Sequence, residues 1–366
     1  MKRIVLVYGG NSLESEISIL TALKVYKELS KVNKNVSLVY LDHQGNFYSS
    51  KHLVDLENYS IKKGFKKINF FKDKNKYFFK SKFKKTFFDL VLILGHGKNI
   101  EDGTLSSYFE TLNIPYCYDD LSNVSLLQDK SKTKLVFTSL NIPQINYQII
   151  HKFEYEKNKN FYLKLKFPLI IKPSRLGSSI GISKVHSVKE LHNELVNAFR
   201  YDETIVLEEC IEEKIEYNIA LLGYENSIIP SEIEEVNHSK EVLSFFDKYD
   251  YSNGNEKRMI CPLISKEIKN KIVDTSKEVF SKLNLCGIYR FDFIYSVKDN
   301  EIYLNEVNSL PGSLAYYLFE PKGINMADLV LMYIDFNLRK NKNRSLLLNT
   351  YQDGFASKVD LDKLKK

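Results

Sequence analysis

Ile4-Val5-Leu6-Val7-Tyr8 is an unbroken apolar run that halts at Gly9-Gly10-Asn11-Ser12. Beyond the halt, Ile19, Ala22, Leu23, Tyr26 and Leu29 recur at helical spacing, with Glu14 and Glu16 near the start, where a helix dipole favours acid. Val36 to Leu41 is apolar again. Strand, helix and strand in so short a stretch make a βαβ unit, which predicts an open parallel sheet. A third apolar run, Asp89 to Leu94, extends it and ends in Gly95-His96-Gly97. This first domain is expected to close near residue 120.

At 366 residues the chain exceeds what one core accommodates, so two or three domains are expected. With 43% hydrophobic and 27% charged residues it is of ordinary globular composition, and its net charge of +7 suits a polyanionic ligand such as a nucleotide without indicating nucleic acid. Four scattered cysteines without a C-x-x-C pair suggest neither a disulfide framework nor a thiolate metal site. No apolar run approaches the roughly 18 residues of a membrane span, and a cytoplasmic location is expected.

Between Lys62 and Phe88 lysine and phenylalanine interleave (FKDKNKYFFKSKFKK). Such a tract could stack bases and contact phosphates, or could form a pair of half-exposed strands with lysines on the wet face.

Further along, a lysine-rich helix is expected from Asp129, a strand, loop and strand across Leu169 to Val185, a helix over Val188 to Phe199 and a strand at Thr204 to Leu207. Strands at Tyr217 to Leu222 and Ser227 to Ile233 follow. After a polar loop from about Asn237 to Arg258 come a helix over Lys266 to Leu283 and a hairpin at Gly287 to Asn308.

That hairpin is the most informative element. Strand geometry places i and i+2 on one face, so Arg290 and Asp292 share a side, as do Glu306 and Asn308 on the partner strand. If the register brings those faces together, two carboxylates and an amide form the oxygen-only site that Mg²⁺ prefers, beside an arginine suited to a transferring phosphoryl group. The alternative is an ordinary solvated face. Asn308-Ser309-Leu310-Pro311-Gly312, directly after, offers backbone N–H donors to an anion.

KPSRLGSSIG, Lys172 to Gly181, has its lysine before its glycines and returns into Ile182-Ser183-Lys184-Val185. That order argues against a Walker loop and leaves either a flap between two strands or a common polar turn.

Six motifs in order, GGNSLESEIS, HGKNIEDG, DKSKTK, KPSRLGSSIG, YRFDF and NEVNSLPG, resemble the D-alanine–D-alanine ligases of the ATP-grasp superfamily over nearly the whole chain. The resemblance implies three domains: an N-terminal α/β substrate-binding domain with a Rossmann-like sheet (1–120), a central ATP-grasp lobe (121–211) and a C-terminal lobe with the metal site (212–366), with ATP between two antiparallel sheets.

It further implies Lys130 and Lys172 on the nucleotide phosphates, Glu208, Glu209 and Ile211 at adenine, Glu216 at ribose, and Asp292, Glu306 and Asn308 as ligands of two Mg²⁺ ions, or Mn²⁺. Arg290 and the Gly312 amide would stabilise the acyl phosphate and oxyanion. Glu14 would take the ammonium of the first D-alanine near His96, with flap Ser178 linked to Glu14 through Tyr251, or its neighbour Tyr249. Implied partners are D-alanine, ATP and a second copy in a homodimer, with neither nucleic acid nor membrane.

Three departures stand out: Ile100 replaces a glycine before Glu101-Asp102-Gly103, the Phe245 to Tyr251 segment is out of register by one residue, and Tyr316-Tyr317-Leu318 occupies the region of a serine that holds the second substrate. A D-lactate or D-serine ligase of the same fold is the nearest rival. A basic nucleic-acid-binding protein or a non-catalytic nucleotide binder are rivals of other classes.

Overall fold

The computed structural model describes residues 2–62, 64–82, 84–159, 163–236, 258–347 and 359. Its first lobe contains β1 (Ile4–Gly9), α1 (Ser15–Val32), β2 (Val36–Leu41), β3 (Phe47–Ser49), α2 (Asn58–Ile61), β4 (Lys66–Asp73), β5 (Lys76–Ser81), β6 (Lys84–Phe88), β7 (Leu90–Ile93), α3 (Thr104–Thr111) and β8 (Tyr116–Cys117). They form one sheet in the order β6-β5-β4-β3-β2-β1-β7-β8. The parallel βαβ core is present, with Ile4 opposite Val36 on one side and Leu90 on the other.

The sheet is mixed, because β3 to β6 extend it as antiparallel neighbours. The Lys/Phe tract thus forms three strands where a pair was expected. Its alternation explains why: Ile68, Phe70, Phe79 and Phe88 are buried in the main core, while Phe71 and Phe87 stay exposed.

Gly9 ends β1 at φ +101°, and a Cβ there would lie 2.2 Å from the Leu41 carbonyl oxygen. Only glycine satisfies both conditions. Gly9→Ala is expected to lower stability by at least ~2 kcal/mol, measured as an earlier urea transition of the first lobe.

The central segment comprises α4 (Leu121–Gln128), α5 (Lys130–Ser139), β9 (Tyr147–His151), α6 (Lys152–Lys157), β10 (Leu169–Pro173), β11 (Ser183–Val185), α7 (Val188–Ala198) and β12 (Thr204–Glu209). The strands form an antiparallel sheet, β11-β10-β12-β9. Asp129 separates α4 from α5 and caps the latter, accepting from the Ser131 N–H at 3.1 Å and the Ser174 hydroxyl at 2.5 Å.

The last segment has β13 (Lys214–Tyr224), β14 (Ser227–Val236), β15 (Arg258–Ile260), α8 (Lys266–Lys282), β16 (Cys286–Ser296), β17 (Glu301–Asn308) and α9 (Met326–Ser345). Its sheet is antiparallel in the order β15-β14-β13-β16-β17. On α8, Ile272, Ser276, Val279 and Phe280 are buried at i, i+4, i+7 and i+8, which seats the helix on one face of this sheet. The other face is therefore free to border a cleft. Leu127, Phe137 and Ile142 pack into the same core as Phe291 and Phe293, joining the central helices to it.

Asp119 fastens the first lobe to the last: its carboxylate accepts from the Cys286 N–H at 2.9 Å, the Tyr289 hydroxyl at 2.5 Å and Lys340 Nζ at 2.6 Å. All four cysteines are free thiols, and among the described residues no helix is long and apolar enough to cross a membrane.

Candidate active site

The register of β16 on β17 sets Asp292 opposite Glu306 and Arg290 opposite Asn308. Tyr289, Phe291 and Phe293, on the alternate positions, are buried in the core. The acidic pair and its amide thus share the face turned away from α8. Arg290 grips Asp292 with two hydrogen bonds of 2.7 Å, from Nε to Oδ1 and from Nη2 to Oδ2, and Asn308 Nδ2 donates to Oδ2 at 3.0 Å. Asp292 outweighs burial and holds the guanidinium well above its ordinary pKa.

Two carboxylates and one amide are hard oxygen donors, too few to cage an ion alone, and among the described residues no cluster of three His, Cys, Asp or Glu side chains forms a metal site. This is the donor set Mg²⁺ accepts when phosphate oxygens and waters complete its shell. Lys130 Nζ lies 3.6 Å from Glu306, so a cation already faces each acid.

A bulge in β17 shapes the next contact. Pairing steps from Asp292–Glu306 to Phe293–Leu304, leaving Asn305 as the extra residue. Its Oδ1 accepts from Lys172 Nζ at 2.9 Å, so the last sheet touches the central one at a phosphate-binding candidate.

Lys172 also meets Glu208 Oε2 at 2.5 Å, and Lys134 Nζ lies 2.7 Å from Oε1 as an ion pair off the line of a well-aligned hydrogen bond. Burial would push the Glu208 carboxyl up, but the two ammonium groups win and hold it at about 2. Burial lowers Lys134, which Glu208 only partly offsets, whereas at Lys172 the attraction of Glu208 prevails and the pKa rises.

The neighbouring candidates line the same cleft. Glu209 accepts from Asn146 Nδ2 at 2.9 Å and the Lys166 N–H at 3.0 Å, Glu216 pairs with Lys214 at 2.7 Å, and Ile211 lines the cleft.

KPSRLGSSIG begins with the last two residues of β10, and from Ser174 it is a loop leading to the antiparallel β11, with Ile171 opposite Ser183. Arg175, to which sequence assigned no part, anchors the loop's base on Asp202, and the Leu176 carbonyl accepts from Lys130 Nζ at 2.7 Å. At the tip, Ser178 in a left-handed turn (φ +52°) donates to Glu14 Oε1 at 2.5 Å. A Cβ on Gly177 would lie 3.0 Å from that same oxygen, so glycine permits the close approach. Burial and the Glu101 carboxylate raise the Glu14 pKa, against Ser178, His96 and Lys130.

His96 stands behind the cleft instead of lining it: it is buried, within 3.2 Å of Thr21 Oγ1 through Nε2 and 3.4 Å of Glu101 Oε1 through Nδ1. Gly312 borders the cleft with open space around its Cα, before three residues, Ser313 to Ala315, of positive φ. Tyr249 and Tyr251 lie outside the described residues.

Apart from His96, the described candidates border one cleft of ≈ 840 Å³ between the antiparallel sheets and α1, a volume in the range of small-molecule sites. Sequence reasoning missed Lys134, Glu101, Asn305 and Glu234. Lys134 was findable, since it lies four residues after Lys130 on the same helical face.

The family models described as D-ala D-ala ligase N-terminus and C-terminus match residues 3–117 and 136–335. The D-alanine–D-alanine ligase of Thermosipho africanus is 35% identical, over 94% of this chain and 96% of that protein. Among solved structures, the D-alanine–D-alanine ligase of Helicobacter pylori superposes with a TM-score of 0.74 at 27% identity, covering 92% of this chain and 98% of that one. The VanG D-Ala:D-Ser ligase of Enterococcus faecalis reaches 0.78 at 26% identity, covering 92% and 99%.

Proposed function

This chain belongs to the D-alanine–D-alanine ligase family, and from that premise we propose how its own residues divide the work of joining two D-alanines at the expense of ATP. The product serves peptidoglycan precursor synthesis, the family's general role.

Glu14 receives the ammonium of the first D-alanine. Burial and Glu101 raise the pKa of its carboxyl, and the incoming ammonium favours the charged form against both. The substrate carboxylate attacks the γ-phosphorus of ATP, forming a C–O–P link as the bond to ADP breaks. In-line positioning is the main demand of such a transfer. Lys130 and Lys172 hold the phosphates, and Asp292, Glu306 and Asn308 are the residues that would hold Mg²⁺, which would supply positive charge to the transferring group.

The amine of the second D-alanine then attacks the acyl carbon, and phosphate leaves. Arg290 uses two N–H groups on Asp292, which leaves three for the acyl phosphate and, with the Gly312 N–H, the oxyanion. The Ser178 loop, closed on Glu14, keeps water from the acyl phosphate. The nucleotide base is placed beside Glu208, Glu209 and Ile211, and the ribose beside Glu216.

The observation that carries this reading is convergence: the β16–β17 acids, the lysines of β10 and α5, and the Ser178–Glu14 contact meet at one cleft. The test is ADP formation with ATP, Mg²⁺ and a panel of D-alanine, D-serine and D-lactate, with products identified by mass. D-alanyl-D-alanine is the expected product. No turnover with any D-alanine-containing pair overturns the ligase reading. The panel also tests a D-serine or D-lactate acceptor, for which Tyr317 in the second-substrate region is the motivating observation.

We assign boundaries at 120 and 211, supported by one sheet in each of the three segments, and we further propose a cytoplasmic homodimer.

A further inference from the structure

The inward face of β14 carries a carboxylate with no part in the mechanism above. Glu234 is 1% exposed and fixed at one oxygen: Oε1 accepts from Asn218 Nδ2 at 2.8 Å and from the Tyr317 hydroxyl at 3.0 Å. Its other oxygen, Oε2, is shielded from water and has no hydrogen-bond partner among the described residues.

Pairing across the sheet runs from Glu234 to Asn218 to Asp292 to Glu306. Glu234 therefore stands on the face of the metal-ligand candidates, two strand spacings or roughly 10 Å from Asp292. It borders the cleft with Arg290, Gly312 and Tyr317, on the side where the acyl carbon must meet its acceptor. An orphaned, buried carboxylate oxygen is unfavourable until a donor reaches it, and a cationic donor relieves it most. The cations nearest the acids are engaged, Arg290 with Asp292 and Lys172 with Glu208.

We propose that Glu234 Oε2 receives the ammonium of the second D-alanine, so that Glu234, oriented by Asn218 and Tyr317, selects an amine as acceptor. The inference rests on the ligase reading. The acceptor nitrogen gives one proton to solvent and forms the C–N bond as the C–O bond to phosphate breaks. Phosphate departs with that electron pair, and the second nitrogen proton leaves with it.

The test is Glu234→Gln, which keeps the shape and removes the charge. Two nucleophiles are compared: D-alanine, giving dipeptide, and hydroxylamine, which is uncharged at neutral pH and traps the acyl phosphate as a hydroxamate. The variant is expected to raise the KM for acceptor D-alanine by about 10- to 100-fold, the range for losing one hydrogen bond to a charged group. Hydroxamate formation and the KM for ATP stay near wild type. An unchanged acceptor KM, or equal losses with both nucleophiles, overturns the proposal.

Should that variant not fold, Tyr317→Phe decides. It removes one orienting donor and is expected to raise the acceptor KM by about 3- to 10-fold, and no rise overturns the proposal. A wild-type protein that makes neither dipeptide nor hydroxamate defeats the ligase reading instead.

Discussion

Replacing Glu208 by glutamine lowers the stability of the protein by about 3–5 kcal/mol, the cost of stranding a buried charge by removing its partner. Glu208 is 2% exposed and stands between Lys134 and Lys172, both of them also buried. Glutamine keeps the shape but deprives the two ammonium groups of the carboxylate they share. Of the two, Lys134 suffers more, since burial already lowers its pKa, while Lys172 keeps the Asn305 contact.

The pH dependence separates this cause from a packing defect. The Glu208 carboxyl is held at about 2, below its ordinary 4.5, in the folded state, so its contribution is present above pH 4.5 and is lost as pH falls through about 2. The gap between wild type and Glu208→Gln in urea unfolding should be widest near neutrality and shrink across that window. A gap unchanged down to pH 2.5 assigns the loss to something other than charge.

What sequence could read followed from local periodicity. The i, i+2 rule placed Arg290 with Asp292 and Glu306 with Asn308, and the observed register joins the two pairs on one face. The run Ile182-Ser183-Lys184-Val185 after KPSRLGSSIG was expected to be a returning strand, and β10 pairs with β11 accordingly.

What escaped depends on partners distant in the chain. Asn305 reaches Lys172 only because of a bulge, which breaks the alternation that strand reading relies on. Glu234 sits in an unremarkable run of three acids, Glu232, Glu234 and Glu235, and its distinction is burial beside Tyr317, 83 residues away. The Lys/Phe tract was legible as strand but not in number, because composition carries no count of turns.

Glu306→Gln is expected to lower dipeptide synthesis by at least 10²- to 10³-fold, the loss typical when a charge-stabilising group is removed from a transferring centre. Its carboxylate lies opposite Asp292 on the acid face, and the amide that replaces it binds a hard divalent cation far less well than an anion does. Stability should hardly move. Glu306 keeps 32% of its side chain exposed and meets Lys130 at a loose 3.6 Å, so the pair contributes at most about 1 kcal/mol to folding. The variant thus sets activity against fold, the reverse of Glu208→Gln. Raising Mg²⁺ should recover part of the rate if the lost charge weakens ion binding, which a titration of activity against Mg²⁺ reads directly. A folded variant with wild-type turnover at ordinary Mg²⁺ refutes the assignment of Glu306 to the metal, and would leave Asp292, already gripped by Arg290, as the one carboxylate of the proposed ligand set.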